Sequence, residues 1–482
     1  MHESPPRAPV LSDRRYRWIA AAILLLAAFN LTFRLGREVV TDWDEALYAI
    51  TASEMFRSGH WIGTTFFGSL DYYNTKPPLN FWLIAIAFKA FGPSLVALRL
   101  ASVVSAWLTV FFLQRWSREV FGPAVALGAS LVLATTFGFI QLHSGRSANT
   151  DAHFTLFVLL TVILLWAARA NSWRRLWLGP ILAGVFLLRG MAVLMPLAIV
   201  CLESLWALRR RERRPWGPPL VALLLFVVPV GAWMTARWQL DRWEFLTRVV
   251  TYDFVARSVS VIEGHPGSPL YYLNILQKLH LDWLFLAVVA YVLRPVRWSH
   301  LRMRFEHSSD RRSLVVLVAA WMAATLLIPT MMRTKLPWYL NAFYPIFALG
   351  VAALVMRAAT VVAGRRRVVL AVAAVVALGV AEGRLLWYSL RYRDLAGSTQ
   401  GWLLEERERL AGRQVFGDEW SDGEWFVLTS LVGAEPRSQT PLTEFLIESA
   451  PGDYLMSTSD VERSDLQLIK SNGSRWLYRR SH

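Results

Sequence analysis

One cysteine, Cys201, stands in 482 residues. That excludes an intrachain disulfide and any zinc site built on clustered cysteines. Charge is scarce as well: Asp, Glu, Lys and Arg make up 18% of the chain, against about 25% in ordinary soluble domains. No Gly-rich strand-to-helix turn and no phosphate-binding P-loop occurs, so a nucleotide would find no cradle. The chain has no internal repeat and no low-complexity segment. Arg14, Arg15 and Arg17 precede the first apolar run, but no small-residue cleavage signal follows it, which predicts a first span that is not removed.

What is present in excess is apolar residues, 55% of the chain, with a mean hydropathy of +0.36. They come in runs of about 15–22 residues, the length that a bilayer core asks for. The net charge of +16 resides in short connectors, such as Arg209, Arg210, Arg211, Arg213 and Arg214, or Arg365, Arg366 and Arg367. Basic residues confined to connectors are the positive-inside signature of a membrane protein. Nucleic acid is therefore not an expected partner; the bilayer is.

With Arg7, Arg14, Arg15 and Arg17 inside, the first span covers 18–33 and delivers 36–78 to the outside. The run 79–91 is short and carries Lys89. Read as a full span it would put the later Arg clusters outside, so it is read as re-entrant or interfacial. The remaining spans fall at 94–114, 124–143, 152–168, 176–188, 191–208, 216–236, 271–293, 313–329, 339–357 and 368–388. That makes eleven, with 176–208 alternatively one broken helix at Arg189-Gly190, and the expected range is about 11–13 helices plus interfacial ones. The fold class is an all-α polytopic membrane domain, 1–388, with a first outer loop at 36–78. It is followed by a small α/β domain, 389–482, on the outer side. In that tail 402–410 reads as helix, and 414–416, 425–431, 453–458 and 474–478 read as strands between turn signals.

Most residues with chemical potential fall in the outer segments. Asp42, Asp44 and Glu45 stand before a helical stretch at 46–57. Acids there serve either as helix-start residues or as working carboxylates. Asn74-Thr75-Lys76-Pro77-Pro78 puts a cation beside a helix start, suited to an anion or to lipid headgroups. Arg146 and Asp151 lie between two spans, and Asp151 is also placed to cap the helix that follows. Glu263-Gly264-His265 precedes Tyr271-Tyr272, and Arg333-Thr334-Lys335 precedes Tyr339. Two cations at an outer boundary run against the positive-inside bias, which marks them for function. Cations to hold a phosphate leaving group, with a carboxylate to deprotonate an acceptor, are what transfer from a lipid-linked phosphosugar needs.

These residues also carry a resemblance. Asp44-Glu45-Ala46-Leu47-Tyr48-Ala49, Gly59-His60-Trp61, Lys76-Pro77-Pro78-Leu79, Arg146 to Asp151, Glu263-Gly264-His265 and Thr334-Lys335-Leu336-Pro337-Trp338-Tyr339 occur in order over about residues 15–360. Together they resemble the superfamily of protein O-mannosyltransferases and aminoarabinose transferases, membrane glycosyltransferases of the GT-C fold. The resemblance implies a catalytic base at Asp44, with Glu45 beside it and Asp151 in the same machinery. It implies a donor-phosphate side made of Lys76, Arg146, Arg189, His265, Arg333 and Lys335. Asp42, Tyr48, Tyr271 and Tyr339 are expected to line the substrate cavity.

The implied reaction is inverting transfer from a polyprenyl phosphate of the undecaprenyl class to a glycolipid, polysaccharide or protein acceptor outside a bacterial inner membrane. Thr75 stands where aminoarabinose transferases carry an acid that helps bind a metal, so a divalent metal is left open and no other cofactor is called for. The competing expectations are a transporter of lipid-linked sugars, which would carry ionisable groups at mid-span, and a non-catalytic envelope scaffold. The ionisable residues inside the runs, Arg99, Glu203, Glu382 and Arg384, lie near run ends, where snorkelling is expected.

Overall fold

The computed structural model describes residues 12–212, 215–261, 264–293, 308–437, 440 and 442–481. Arg7, Arg213, Arg214 and Glu263, named above, lie outside them. Among the described residues seven helical elements are long and apolar enough to cross a membrane: Asp13–Arg37, Leu95–Phe121, Ser172–Arg209, Gly217–Asp241, Asp310–Met331, Pro337–Val361 and Gly364–Arg391. Tyr271–Leu279 and Leu281–Leu293 form a pair bent by 92° that makes an eighth if taken as one span. Leu79–Phe91, Pro123–Ala134 and Asp151–Ala167 are apolar but shorter.

Every sequence-read run is helical, yet several are interrupted. The run 176–208 is one broken element, with Gly190 at φ +53 between helices Leu178–Arg189 and Leu194–Arg209. The run 124–143 stops at Ala134. There the Thr135 and Thr136 hydroxyls donate to the carbonyls of Leu131 and Val132 at 2.8 and 2.6 Å, satisfying groups that a broken helix would leave bare in lipid. The run 271–293 turns at His280.

Contacts divide the chain into two units. The first is Met1–Phe33, Tyr72–Leu79 and Ser102–Leu386; the second is Arg34–Asp71, Asn80–Ala101 and Trp387–His482.

In the first unit the bundle is held by close approach rather than by a hydrophobic drive, since lipid is as apolar as leucine. Gly128 brings helix Pro123–Ala134 against Tyr344–Val361: an added Cβ would stand 3.0 Å from the Ala352 Cβ. Gly179 is tighter still, because its Cβ would meet the Ala222 carbonyl oxygen at 2.2 Å. The ionisable groups expected to snorkel are paired internally instead. Glu203 meets Arg175 at 3.0 Å, Arg384 meets Asp282 at 3.1 Å, and Glu382 accepts from Asn30 at 3.0 Å. A partner inside protein satisfies such a charge without a path to the headgroups.

The second unit contains helix Asp44–Ser58, the helical stretch 80–91, and the whole C-terminal sheet. Asp44–Ser58 is buried on nearly every face, including Ala46 to Ser53, which requires neighbours all round. Tyr48 packs edge-on against Phe81, Phe56 against Phe88, and Phe88 lies flat on Phe426. A hairpin joins β1, Thr65–Phe66, to β2, Ser69–Leu70. The C-terminal sheet consists of β3, Gln414–Gly417, β4, Glu435–Arg437, β5, Tyr454–Ser457, β6, Leu466–Ser471, and β7, Trp476–Arg480. Its order is β4-β3-β5-β7-β6, with β3 parallel to β4 and β5 and the other pairs antiparallel. Phe416, Phe445, Leu455, Leu466 and Tyr478 form its core.

The stretch 425–431, read above as strand, is helical. Ser421 and Glu424 make a reciprocal capping box at the start of helix Asp422–Phe426, and the helix continues as a π-turn segment to Val432.

At the centre of this unit Glu45, wholly buried, meets two guanidiniums. Arg99 Nε donates to its Oε1 at 2.8 Å and Arg393 Nη2 to its Oε2 at 2.8 Å, while the Thr41 N–H and hydroxyl each donate to Oε2 at 3.0 Å. Burial alone pushes the Glu45 carboxyl up; the Arg99 and Arg393 charges override it and hold the group well below the usual carboxylate range. Arg99, also fully buried, spends its other donors on the carbonyls of Leu35, Glu38 and Val39.

A depressed carboxylate contributes stability that is complete above its unfolded value, about 4.3, and is lost as the pH falls through its folded one. Wild type and Glu45→Gln are thus expected to differ most in unfolding temperature, measured in detergent, above about pH 4.5, with the difference shrinking steadily as the pH falls further toward the depressed folded value. Arg99→Met, which strands the buried acid, is expected to cost about 3–5 kcal/mol. The Glu45→Gln/Arg99→Met double variant should cost less than the sum of the two singles. Additive losses in that cycle would show that the pair is not the source.

Candidate active site

The second unit holds Asp42, Asp44, Glu45 and Tyr48. Helix Asp44–Ser58 starts directly at Asp44, and its N-cap Trp43 has φ +70 and donates no side-chain cap. Adjacent positions on a helix point about 100° apart, and here the two acids go separate ways. Asp44 is partly exposed at the helix start, whereas Glu45 turns inward to Arg99 and Arg393. Glu45 therefore has an anchoring part, and Asp44 is the more exposed of these two adjacent acids. Asp42 Oδ1 accepts from the Gly423 N–H at 3.0 Å. Tyr48 is buried against Phe81 and serves packing.

The first unit holds the other candidates. Asp151 starts helix Asp151–Ala167 and accepts from Arg189 Nη1 at 2.7 Å. The Arg189 guanidinium also lies 5.5 Å from the Tyr339 ring and 5.6 Å from Phe154. Just after it, Gly190 lets the backbone approach: an added Cβ would stand 3.2 Å from Val249 and 3.9 Å from Pro77. The Lys76-Pro77 corner is thus brought to the Arg189-Gly190 break, with Lys76 half-buried and its N–H donated to the Asn74 side chain. Lys76, Arg189, Asp151 and Tyr339 form one neighbourhood of this unit.

A second group joins two connectors. The Lys335 N–H donates to the His265 carbonyl at 3.1 Å, and the Arg333 N–H to that of Ser258 at 3.2 Å. The Lys335 ammonium caps the end of helix Ser308–Met331, donating to the carbonyls of Thr330 and Met332 at 2.6 and 2.7 Å. That is ordinary service for a cation at a helix C-terminus, and burial pulls its pKa below the usual lysine value. A Cβ on Gly267 would stand 2.5 Å from the Lys335 stem and 3.0 Å from the Tyr271 ring, so these three pack together. The side chains of His265 and Arg333 are exposed.

Arg146 is wholly buried and caps the first helix, donating to the carbonyls of Asn30 and Phe33 at 2.8 and 2.7 Å.

Two sets of residues escaped the sequence reading. Arg237 is wholly buried beside Asp241, 4.1 Å from the Phe245 ring and 5.9 Å from Tyr72; Arg248 is 5.6 Å from the same Tyr72. Each is paired with an acid four residues away, Arg237 with Asp241 and Arg248 with Glu244, so two ion pairs flank the segment that carries Lys76. The available signal was an arginine at a span end facing an outer segment. In the second unit, Arg393 and Gln400 gave no local signal at all. Among the described residues no three His, Cys, Asp or Glu side chains gather as metal ligands, and Thr75 is buried where an acid would be needed. The described residues do not fit a metal.

The profile of the family described as dolichyl-phosphate-mannose-protein mannosyltransferase matches residues 75–233. The chain is 31% identical over 339 residues to the undecaprenyl phosphate-alpha-4-amino-4-deoxy-L-arabinose arabinosyl transferase of Pseudomonas aeruginosa, covering 68% of this chain and 57% of that protein. The protein of the same name from Pseudomonas savastanoi is 29% identical over 325 residues, 66% of this chain and 58% of its own length. The chain therefore spans under three fifths of the length of these relatives. Its fold is similar over nearly everything to the crystal structure of ArnT from Cupriavidus metallidurans bound to undecaprenyl phosphate, with a TM-score of 0.69 at 16% identity, covering 97% of this chain and 98% of that one. The oligosaccharyltransferase of Archaeoglobus fulgidus is more distant, with a TM-score of 0.53 at 13% identity over 88% of this chain and 64% of that one. The chain is a multi-pass membrane protein that belongs to the GT-C-fold superfamily of protein O-mannosyltransferases and aminoarabinose transferases.

Proposed function

We propose that this protein transfers a sugar from a polyprenyl phosphate, of the undecaprenyl class, to a hydroxyl or amine acceptor at the outer face of a bacterial inner membrane. The observation that carries this reading is the gathering of Lys76, Arg189, Asp151 and Tyr339 at the broken helix, because a phosphate leaving group needs fixed cations to take up its growing charge. The Pseudomonas relatives are named as transferases of an undecaprenyl-phosphate-linked aminoarabinose, which supports a lipid-carried donor here.

In the proposed step the acceptor oxygen or nitrogen attacks the anomeric carbon from the face opposite the phosphate. The bond from that carbon to the phosphate oxygen breaks, and its electron pair leaves with the polyprenyl phosphate. Asp44 takes the acceptor proton, and the configuration inverts. Lys76, as a compact charge, and Arg189, as a planar fork, stabilise the growing phosphate charge. Asp151 keeps the Arg189 fork in one orientation. The N-terminus lies in the cytoplasm and the C-terminal sheet in the periplasm; the Arg-rich connectors support that orientation. The acceptor is a glycolipid, a polysaccharide or a protein.

The transporter reading is weaker on one observation. Glu203, Glu382 and Arg384 each have a partner within the first unit, and Arg99 has one within the second, so each serves packing of its own unit rather than a path for a moving ion.

Membranes containing the wild type are expected to transfer radiolabelled sugar from one member of a panel of polyprenyl-phosphate sugars. Asp44→Asn should lower kcat by roughly 10²–10⁴. Full activity in Asp44→Asn would remove it as the base. For the phosphate side, Lys76→Ala is expected to lower kcat/KM by about 10²–10³. Arg189→Lys keeps the charge but loses the fork, and should raise KM for the donor more than it lowers kcat. Unchanged kinetics in both would place the phosphate elsewhere.

A further inference from the structure

We propose that the C-terminal segment is a clamp that aims Asp44, with Gln400 and Gly423 as positioning residues; this rests on the reading of Asp44 as the base. The residue before Asp44 is Trp43, whose φ of +70 is one that a bulky side chain adopts only under constraint. Such a conformation costs about 1–3 kcal/mol and persists only where the surroundings over-determine it. The indole does not supply the constraint, since Trp43 is 64% exposed.

The constraint comes from both sides of it. Upstream, the Val39 N–H donates to the Arg393 carbonyl at 3.0 Å and the Leu395 N–H to that of Arg37 at 2.8 Å, so 37–39 is laid along 393–395 in one antiparallel bridge. The pairing is then continued by a side chain. The Val40 N–H donates to Gln400 Oε1 at 2.8 Å, and Gln400 Nε2 donates to the Val40 carbonyl at 2.8 Å. One primary amide thus satisfies both backbone groups of one residue, as a neighbouring strand would. Next, Asp42 is tied to the Gly423 N–H at the first turn of helix Asp422–Phe426. Downstream, Glu45 is locked by Arg393 and Arg99. Trp43 and Asp44 lie between these grips.

Gly423 is where the grips converge. A Cβ there would stand 2.4 Å from Gln400 Nε2, 2.8 Å from the Val40 oxygen and 3.2 Å from Asp42 Oδ1. Its backbone φ is not in the left-handed region, and alanine is a better helix former than glycine. Gly423→Ala therefore adds nothing but a methyl wedge between the clamp and the loop.

The test uses the full-length protein in detergent or nanodiscs, with Gln400→Leu, Gly423→Ala, Asp44→Asn and, as a control in the same sheet domain, Arg463→Ala, whose exposed pair with Asp465 touches no loop residue. Hydrogen–deuterium exchange is followed in the peptide spanning 38–46. Turnover is expressed per donor-binding site, counted by stoichiometric binding of undecaprenyl phosphate, so that misfolded protein is not counted. The expected result is faster exchange confined to that peptide in Gln400→Leu and Gly423→Ala. Turnover per site should fall by up to about 100-fold, as for a catalytic group displaced by an ångström, at an unchanged KM for the donor. Arg463→Ala should match wild type.

Wild-type turnover per site in both variants, with Asp44→Asn inactive, overturns the positioning role and leaves the base assignment standing. A fall that disappears on normalisation to donor sites overturns it too, because the tail then serves folding alone. Full activity in Asp44→Asn overturns the base assignment and the clamp's purpose together. If wild type transfers from no donor, wild-type exchange at 38–46 in both variants still overturns the clamp.

Discussion

A carboxylate sealed from water between two guanidiniums is a costly arrangement, and the second unit is built around one. Glu45 and Arg99 are both fully buried, and Arg393 nearly so. Desolvating three charges is offset only where the geometry is complete. Here it is nearly complete: the Thr41 N–H and hydroxyl take up Glu45, and the carbonyls of Leu35, Glu38 and Val39 take up Arg99. The backbone on which Asp44 sits is thereby defined from residue 35 to residue 45. Hydrophobic packing would have held helix Asp44–Ser58 in place, but with latitude in rotation. Ionic hydrogen bonds with fixed direction remove that latitude, which suits a group whose work depends on where it points.

The first unit solves a different problem. Its helices lie in a medium that drives no association, so glycines and internal ion pairs do what apolar burial does in water. Helix Gly217–Asp241 is 11% buried along its apolar window, and Pro337–Val361 is 67% buried. The latter is therefore the pillar, and the residues just before and within it, Tyr339 among them, have the positional certainty that a loop would lack. The break at Arg189-Gly190 is tolerated in an apolar setting because backbone donors there stay paired, the Gly190 N–H with the Phe186 carbonyl and the Leu194 N–H with those of Met191 and Ala192.

How much was readable beforehand follows from the range of each interaction. Apolar runs are local, and all of them are helices. Short-range patterns such as Lys76-Pro77-Pro78 and Asp44-Glu45 stand out because they are made by neighbours in sequence. The distinct parts of those two acids do not, because the inward one is chosen by Arg393, 348 residues away. The four ionisable residues in the runs were expected to reach the headgroups; they found partners that no window of sequence contains. In the tail, 425–431 was misread as strand because short apolar runs have no decisive period, although Ser421 and Glu424 stood at capping-box spacing. β4 escaped notice because it is Glu435-Pro436-Arg437, an edge strand with a proline and no apolar alternation.

The Arg393–Glu45 bond also orders events in time. Ribosomes add about 5–20 residues per second, so the 348 positions between the two partners correspond to roughly 20–70 s of synthesis. Arg99 arrives 54 residues after Glu45 and shields it early; Arg393, Gln400 and Gly423 arrive only with the tail. Through that interval the helix start bearing Asp44 is half assembled while most of the bundle is already being made. The newborn chain thus pairs Glu45 with Arg99 well before Arg393 is made, and the last fifth of the sequence supplies what completes the loop made in the first tenth.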